Sequence, residues 1–319
     1  MAGQFTWTFD AASGVFKSHA LSEKLRFAAV ADTKFVQFCR PEPGFGKKKG
    51  ETVTIERIRN ITVPTSAVLT ETTRIPVDSF LMSTRSITVA EYGRAVEYTS
   101  LVNDLSKWDL ESPIQRKLRD QMKLVMDIAA SAAFRTAKLL CYPTSASALT
   151  WQTDGLTTLH YGLNNLTVAH LGIIRDAMQD TYHIPMWEGD TYMGIMSTKA
   201  LRGIKSDPDF LAWRQYLNPG DVLYKSEVGQ IESIRMVECN YTSSLGAVGT
   251  GSVLGEGIIF GDDAVAMVEV ETPELRAAIP GDFGRSKAVA WYGVLAFGIV
   301  WDTANDGEAR VIRITSATN

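Results

Sequence analysis

From residue 50 to about residue 101 the chain is threonine-rich and alternates apolar and polar positions without a helical period. Val53 and Ile55 alternate with Thr52, Thr54 and Glu56, the period-2 mark of a half-buried strand. The return run, residues 79–98, alternates again, with Ile87, Val89, Tyr92 and Val96 as its apolar members. Between them lies a stretch of Thr, Ser, Val and Pro in which Pro64 and Pro76 limit ladder pairing. Two arms of about 12 residues would each reach roughly 40 Å, more than a compact domain usually leaves as a loop. A hairpin of that length with so little apolar content cannot bury itself on its own chain. The pattern therefore predicts an element that lies on something else.

The period then changes to that of a helix. Ile114, Leu118, Met122, Val125, Ala129 and Ala132 recur at i+3 and i+4, while Arg116, Arg119, Lys123 and Asp127 fall largely on other faces. Ser112, Pro113 and Gln115 read as N-cap, first helical residue and capping-box partner. Carried through residue 140, this helix has about 28 residues and a length of roughly 42 Å. Beyond a Thr/Ser/Ala-rich link the pattern is mixed. Helices are expected at residues 168–178, 198–205 and from Asp207-Pro208-Asp209 into FLAWRQYL. Strands are expected at 192–196, 231–237 and 257–270, with a long glycine-rich loop at 243–257. In residues 288–301 the odd positions are mostly bulky (Val289, Trp291, Leu295, Phe297, Ile299, Trp301) and several even ones small (Ala288, Ala290, Ala296, Gly298). Such a strand is buried on both sides, with a helix on one of them. Asn305-Asp306-Gly307 then reads as a turn into a last strand, 309–315, forming a terminal hairpin.

Composition narrows the function classes. At 319 residues with 45% apolar and 21% charged residues, the chain has an ordinary globular balance. A net charge of −4 supplies no bulk basic field for nucleic acid, so such contact would need a local patch. Lys47, Lys48 and Lys49 are the one basic cluster of that kind, and they equally suit a solvated loop. The three cysteines, Cys39, Cys141 and Cys239, form no CxxC pair and fit a reduced state. With no secretory leader, the Asn60, Asn165 and Asn240 sequons are read as chance matches. The apolar run at 288–301 is too short for a membrane-spanning helix, so no membrane association is expected.

No catalytic constellation emerges. GFGKKKG lacks the spacing and the Ser/Thr of a phosphate-binding loop, and Gly249-Thr250-Gly251 with Gly255-Glu256-Gly257 does not make GxGxxG. His19, His160, His170 and His183 show no HxxxH or HExxH spacing, and there is no GxSxG elbow. Asp262-Asp263 fits a turn, and Asp207 and Asp209 fit helix capping. No enzyme activity, cofactor or metal is expected.

The order of elements resembles the major capsid proteins of tailed bacteriophages with the Hong Kong 97-like fold, and within them the branch typified by the N4-like phages. The residues that carry the resemblance are KKKGETVTIERIRN, then LTET with IPVDSF, then ITVAEYGRAVEYTSLVNDLS, then the helix from Ser112. Glu71-Thr72 stands where that branch usually has Glu-Gly. The resemblance implies an α+β capsid fold with an N-terminal arm at 1–48 and a peripheral domain beginning at 49–159. That part would hold an extended β-hairpin loop at about 58–86 and a long spine helix at 112–140. An axial domain would follow at 160–270, with the glycine-rich loop near the capsomer axis, and return strands of the peripheral domain at 271–319.

It further implies a shell subunit that self-assembles into hexamers and pentamers of the icosahedral head. The expected contacts between subunits are Arg57, Arg59, Glu71, Arg74 and Asp78, and the DNA-facing candidates are Lys47, Lys48 and Lys49. The implied partners are further copies of itself, a portal, packaged genomic DNA held without sequence preference and, where present, a decoration protein. Two departures carry consequences. No lysine occurs between Gly50 and Ser106, so covalent crosslinking through the loop is not expected. The fifty residues before the first strand leave no room for a long helical leader, so a separate scaffolding protein is expected. The rival readings are an encapsulin-like compartment and a small-molecule enzyme using the axial region.

Overall fold

A computed structural model of the chain describes residues 27–43, 45–72, 74–106, 109–155, 164–210, 227–248 and 254–317. Most of the expected arm (residues 1–26), the FLAWRQYL helix from residue 211 and Gly249-Thr250-Gly251 lie outside the described residues.

After a 3-10 turn at Val36–Phe38 comes β1 (Arg40–Pro41), then β2 (Thr52–Ile58) and β3 (Met82–Thr88), which among the described residues pair only with each other. β4 (Ala90–Thr99) continues from β3 and leads through α1 (Ser100–Leu105) into α2 (Glu111–Phe134). Next are β5 (Leu140–Pro143), β6 (Leu149–Gln152), α3 (Val168–Asp176), β7 (Tyr192–Ser197) and α4 (Leu201–Lys205). They are followed by β8 (Glu227–Ile231), β9 (Ile234–Cys239), β10 (Ala247–Val248) and β11 (Leu254–Phe260). The long strands β12 (Val265–Ala277) and β13 (Ser286–Ile299) precede the final β14 (Val311–Ala317). One sheet has the order β1-β12-β13-β4, and the larger one β6-β5-β14-β11-β7-β9-β8 with β10 beside β11.

The two faces of β13 explain how the first sheet is covered. Its bulky side chains Val289, Trp291 and Leu295 are buried against Leu118 and Met126 of α2, with Ile114 and Met122 at the margin. Trp291 Nε1 donates to Gln121 Oε1 at 3.2 Å, so the indole is not left with an orphaned donor. The narrow face, at Ala296 and Gly298, takes Ile87 from the base of the β2–β3 hairpin. A Cβ on Gly298 would stand 2.6 Å from the Ile87 side chain, so this close approach needs glycine. The helix on the bulky face agrees with the expectation from sequence.

The larger sheet is covered on both sides. Alternate residues of β7 divide between them: Tyr192 and Met196 pack with Leu171 and Ile174 of α3 and Leu201 of α4, whereas Met193 and Ile195 pack with Phe35, Phe134 and Phe260. Asp127, fully buried on α2, joins this second layer. Its Oδ1 accepts from Lys34 N at 2.9 Å and Phe35 N at 2.8 Å, and its Oδ2 accepts from Ser244 Oγ at 2.7 Å. One carboxylate thereby fixes both the segment before β1 and the turn after β9 to the helix.

Several expectations are corrected. The helix starts at Glu111, where Asp109 Oδ1 accepts from Glu111 N at 3.3 Å and Gln115 Nε2 bonds Glu111 Oε1 at 3.0 Å. Ser112 therefore lies inside the first turn and is not the cap. The helix ends at Phe134 and not at residue 140, because Leu140 and Cys141 are drawn into β5, parallel to β14 at Arg313 and Ile314. Its buried stripe also turns away from Ala129 and Ala132 toward Ala130, Ser131 and Phe134, since the small residues there carry no facial preference. β14 does not form a hairpin with β13. Every one of its residues is buried, which suits a central strand, and it sits between β5 and β11. The 271–319 segment is consequently shared between both sheets. Leu254, Gly255, Glu256 and Gly257, expected in the glycine-rich loop, belong to the buried strand β11.

Candidate subunit interface

Beyond the last pair of the hairpin, Ile58–Met82, the chain runs through residues 59–81 without regular structure among the described residues. From Ile61 to Leu81 eight large apolar side chains are 49–88% exposed, with Val63, Val68 and Val77 the most open. Large apolar side chains left bare in this number along one segment point to an interaction site. At about 1.5–3 kcal/mol for each fully buried aliphatic side chain, covering them would yield on the order of 10 kcal/mol before the costs of association.

The loop projects from an anchored base. Arg57 on β2 donates from Nη1 to Val300 O at 3.0 Å and to Asp302 Oδ1 at 2.9 Å. Arg85 on β3 reaches the other oxygen, Asp302 Oδ2, at 3.3 Å. Both strands of the hairpin thus hold one carboxylate on the turn after β13. Burial alone would raise the Asp302 carboxyl, but the Arg57 hydrogen bond and the two guanidinium charges outweigh it and leave it below its ordinary value. The Arg57 guanidinium lies 5.2 Å from the Trp301 ring centroid, and Arg310 stacks at 5.7 Å. Arg59 Nε stands 3.2 Å from Glu308 Oε1. Glu308 also accepts from Thr303 Oγ1 at 2.6 Å and Asn305 Nδ2 at 3.0 Å, which fixes the turn itself.

The residues expected to make contacts between subunits therefore divide. Arg57 is buried and committed to its own chain, and Arg59 pairs within it, so both belong to the base of the loop. Their partners, Asp302 and Glu308, were not singled out from the sequence; the acidic turn WDTANDGE was the one available signal. Glu71, Arg74 and Asp78 are exposed near the loop tip and make no ion pair among the described residues. Lys47, Lys48 and Lys49 are exposed, with Lys47 Nζ 3.5 Å from Glu271 Oε1 and Lys48 in a left-handed turn conformation.

The reactive groups elsewhere are in structural use. Burial pushes the thiol of Cys39 up to about 12 and that of Cys239 up to about 11, and raises Cys141 further still. His170 is buried at the start of α3, where Thr167 N donates to its Nδ1 at 3.0 Å and its Nε2 bonds Ser145 O at 2.9 Å. His183 pairs with Asp306 at 2.6 Å on the surface. Among the described residues no three His, Cys, Asp or Glu side chains gather as a metal site.

No family model matches the chain, and no curated protein matches it. Solved structures do. A chain of the cyanophage Pam1 capsid matches with a TM-score of 0.71 at 14% identity, over 97% of this chain and 99% of its own. The capsid protein of Helicobacter pylori bacteriophage KHP30 gives 0.72 at 12% identity, over 98% and 99%. That of Ralstonia phage GP4 gives 0.64 at 13%, over 98% and 99%. The likeness reaches the fold and not a branch within it, so placement near the N4-like phages rests on the sequence motifs alone. Over nearly its whole length, this chain has the fold of phage capsid proteins.

Proposed function

We propose that the chain is a major capsid protein whose copies assemble into hexamers and pentamers of an icosahedral phage head. The observation that carries this reading is the loop at residues 59–81, anchored by three ion pairs at its base and apolar along a length that its own chain leaves uncovered among the described residues. A neighbouring copy supplies the missing cover. In such a heterologous contact each subunit gives its loop to the next and receives one in return, so rings close. Glu71, Arg74 and Asp78 at the tip supply polar register, each exposed pair being worth about 0–1 kcal/mol. The role is geometric and calls for no cofactor.

The reading extends, on the strength of the resemblance, to a separate scaffolding protein, a portal, an optional decoration protein and packaged DNA, with Lys47, Lys48 and Lys49 toward the DNA. It also keeps the division into arm, peripheral domain and axial domain, with β14 assigned to the larger sheet. The test is replacement of residues 60–77 by a tight turn. The shortened chain should keep its fold by circular dichroism and lose closed particles in electron micrographs. Particles of unchanged number and thermal stability would refute the role of the loop.

A further inference from the structure

A histidine closes the capping box at the start of α3. Thr167 is the N-cap, and His170 stands at the third helical position, where Glu or Gln usually completes such a box. The pair is reciprocal: the His170 backbone N–H donates to the Thr167 side chain, and Thr167 N donates to His170 Nδ1 at 3.0 Å. A backbone N–H can only donate, so Nδ1 carries no proton and the proton sits on Nε2. That nitrogen donates to Ser145 O at 2.9 Å, in the turn between β5 and β6. One neutral imidazole, fully buried, thereby ties the start of α3 to the edge hairpin of the larger sheet.

The surroundings of the ring are mostly uncharged. The turn at residues 144–148 brings only Thr, Ser and Ala, and it is held by Thr167 Oγ1 donating to Ala146 O at 3.3 Å and Asn164 Nδ2 to Thr144 O at 2.7 Å. From the end of β14, Ser316 Oγ accepts from Leu166 N at 2.9 Å. Past α4, Asp207 Oδ2 accepts from Val168 N at 2.9 Å. Asp207 is the charged group that bears on the imidazole, and it favours the protonated ring, but burial outweighs it. Lys205 of α4 is paired with Glu238, and Arg175 on α3 stands more than a turn away beside Asp176.

We infer that this cap is an acid-released latch between α3 and the β5–β6 edge of the larger sheet. Protonation turns Nδ1 from an acceptor into a donor, so the Thr167 N–H loses its partner. The new N–H can turn only to Thr167 Oγ1, 2.9 Å away, which leaves the backbone donor unsatisfied. It also places a charge where solvent does not reach. A Glu or Gln in the same place keeps an accepting oxygen, so the response belongs to the histidine. The latch is closed at neutral pH and opens as pH falls through the folded value of the imidazole, which burial holds below 6.5. Opening frees the first turn of α3 and the turn at 144–148, while the central strands β7, β11 and β14 stay paired. The latch lies within one subunit and does not rest on the shell reading. In a shell it gives every subunit one edge that responds to acid.

The test is hydrogen–deuterium exchange of the full chain at pH 7 and pH 5, each corrected for the intrinsic rate at that pH. In the parent, protection of residues 144–148 and 167–171 should fall about tenfold or more at pH 5, while residues 193–196 and 311–314 hold theirs. His170→Gln should keep the pH 7 protection at both values. Constant protection of 144–148 and 167–171 in the parent would overturn the latch. An equal loss in His170→Gln, or one spread evenly over the central strands, would overturn it as well. If His170→Gln fails to fold, nitrogen NMR of the parent imidazole still decides. Nδ1 should be unprotonated at pH 7 and gain its proton over the same pH range in which protection is lost; an Nδ1 already protonated at pH 7, or one that titrates with no change in exchange, would sink the inference.

Discussion

Replacing Asp302 with alanine tests whether the base of the loop is anchored by its two arginines. The substitution removes the carboxylate that Arg57 meets at 2.9 Å and Arg85 at 3.3 Å. Breaking a buried pair from one side typically costs about 3–5 kcal/mol, because a charge is left without a partner. Here the figure is smaller. Arg57 keeps its bond to Val300 O, and Arg85 is 36% exposed, so its share is within the ~0–1 kcal/mol of a surface pair. A loss of about 2–3 kcal/mol local to the hairpin remains. At about 1.4 kcal/mol per factor of ten, amide exchange in β2 and β3 should accelerate roughly 30- to 100-fold in the unassembled subunit. Amides of α2, which packs on the opposite face of β13, should exchange at the parental rate. Hydrogen–deuterium exchange read by mass spectrometry resolves the two segments. Parental exchange in β2 and β3, or equal acceleration throughout, would refute the anchoring argument.

Asp127→Ala leaves the buried Phe35 N–H, the half-buried Lys34 N–H and the Ser244 hydroxyl unsatisfied; a loss of about 3–5 kcal/mol should lower the melting temperature by on the order of 10 °C. Acid acts in two windows. Burial holds His170 below its ordinary 6.5, so the stability it contributes is whole above about pH 6.5 and falls as pH drops through the folded value. His170→Gln, which keeps an acceptor for the cap without titrating, should flatten the melting temperature between pH 7 and 5; an unchanged slope would exclude the histidine as its source. The anchor at Asp302, whose carboxyl is held below 3.8, is whole above about pH 4 and is lost as pH falls through its folded value; hairpin exchange that stays flat down to pH 2.5 would contradict this. Boiled particles should run as a single 35.0 kDa band on a denaturing gel, since the loop holds no lysine; a ladder would mean a covalent link from another position.

What was legible in the sequence follows from what periodicity encodes. Val53, Ile55 and Ile87 alternate because β2 and β3 are half-buried, and residues 288–301 alternate bulky with small because α2 and the hairpin press on opposite faces of β13. Pairing is a different quantity. The period of two says nothing about which strand lies alongside, so the pattern alone pairs β14 with its neighbour in the sequence, whereas Val311–Ala317 lies between β5 and β11. The end of α2 was hidden for a related reason: KLLCYP is apolar in either a buried helix or a buried strand. The loop was visible as a polar β-stretch, but the destination of its arginines was not. Arg57 and Asp302 are 245 residues apart, and only the fold brings them together. The exposure of Ile279 and Phe283 is invisible to pattern, because an apolar residue in a turn looks the same in a sequence whether it is covered or bare.

On the proposed function, copies of this chain complete one another and close into a shell. Purified full-length protein, concentrated at neutral pH with or without a scaffolding partner and imaged in negative stain, addresses it directly. Rings of five and six and closed polyhedral particles of uniform size are expected. A population of small globular oligomers, with the residue 59–81 loop as open to proteolysis as in the monomer, would contradict it.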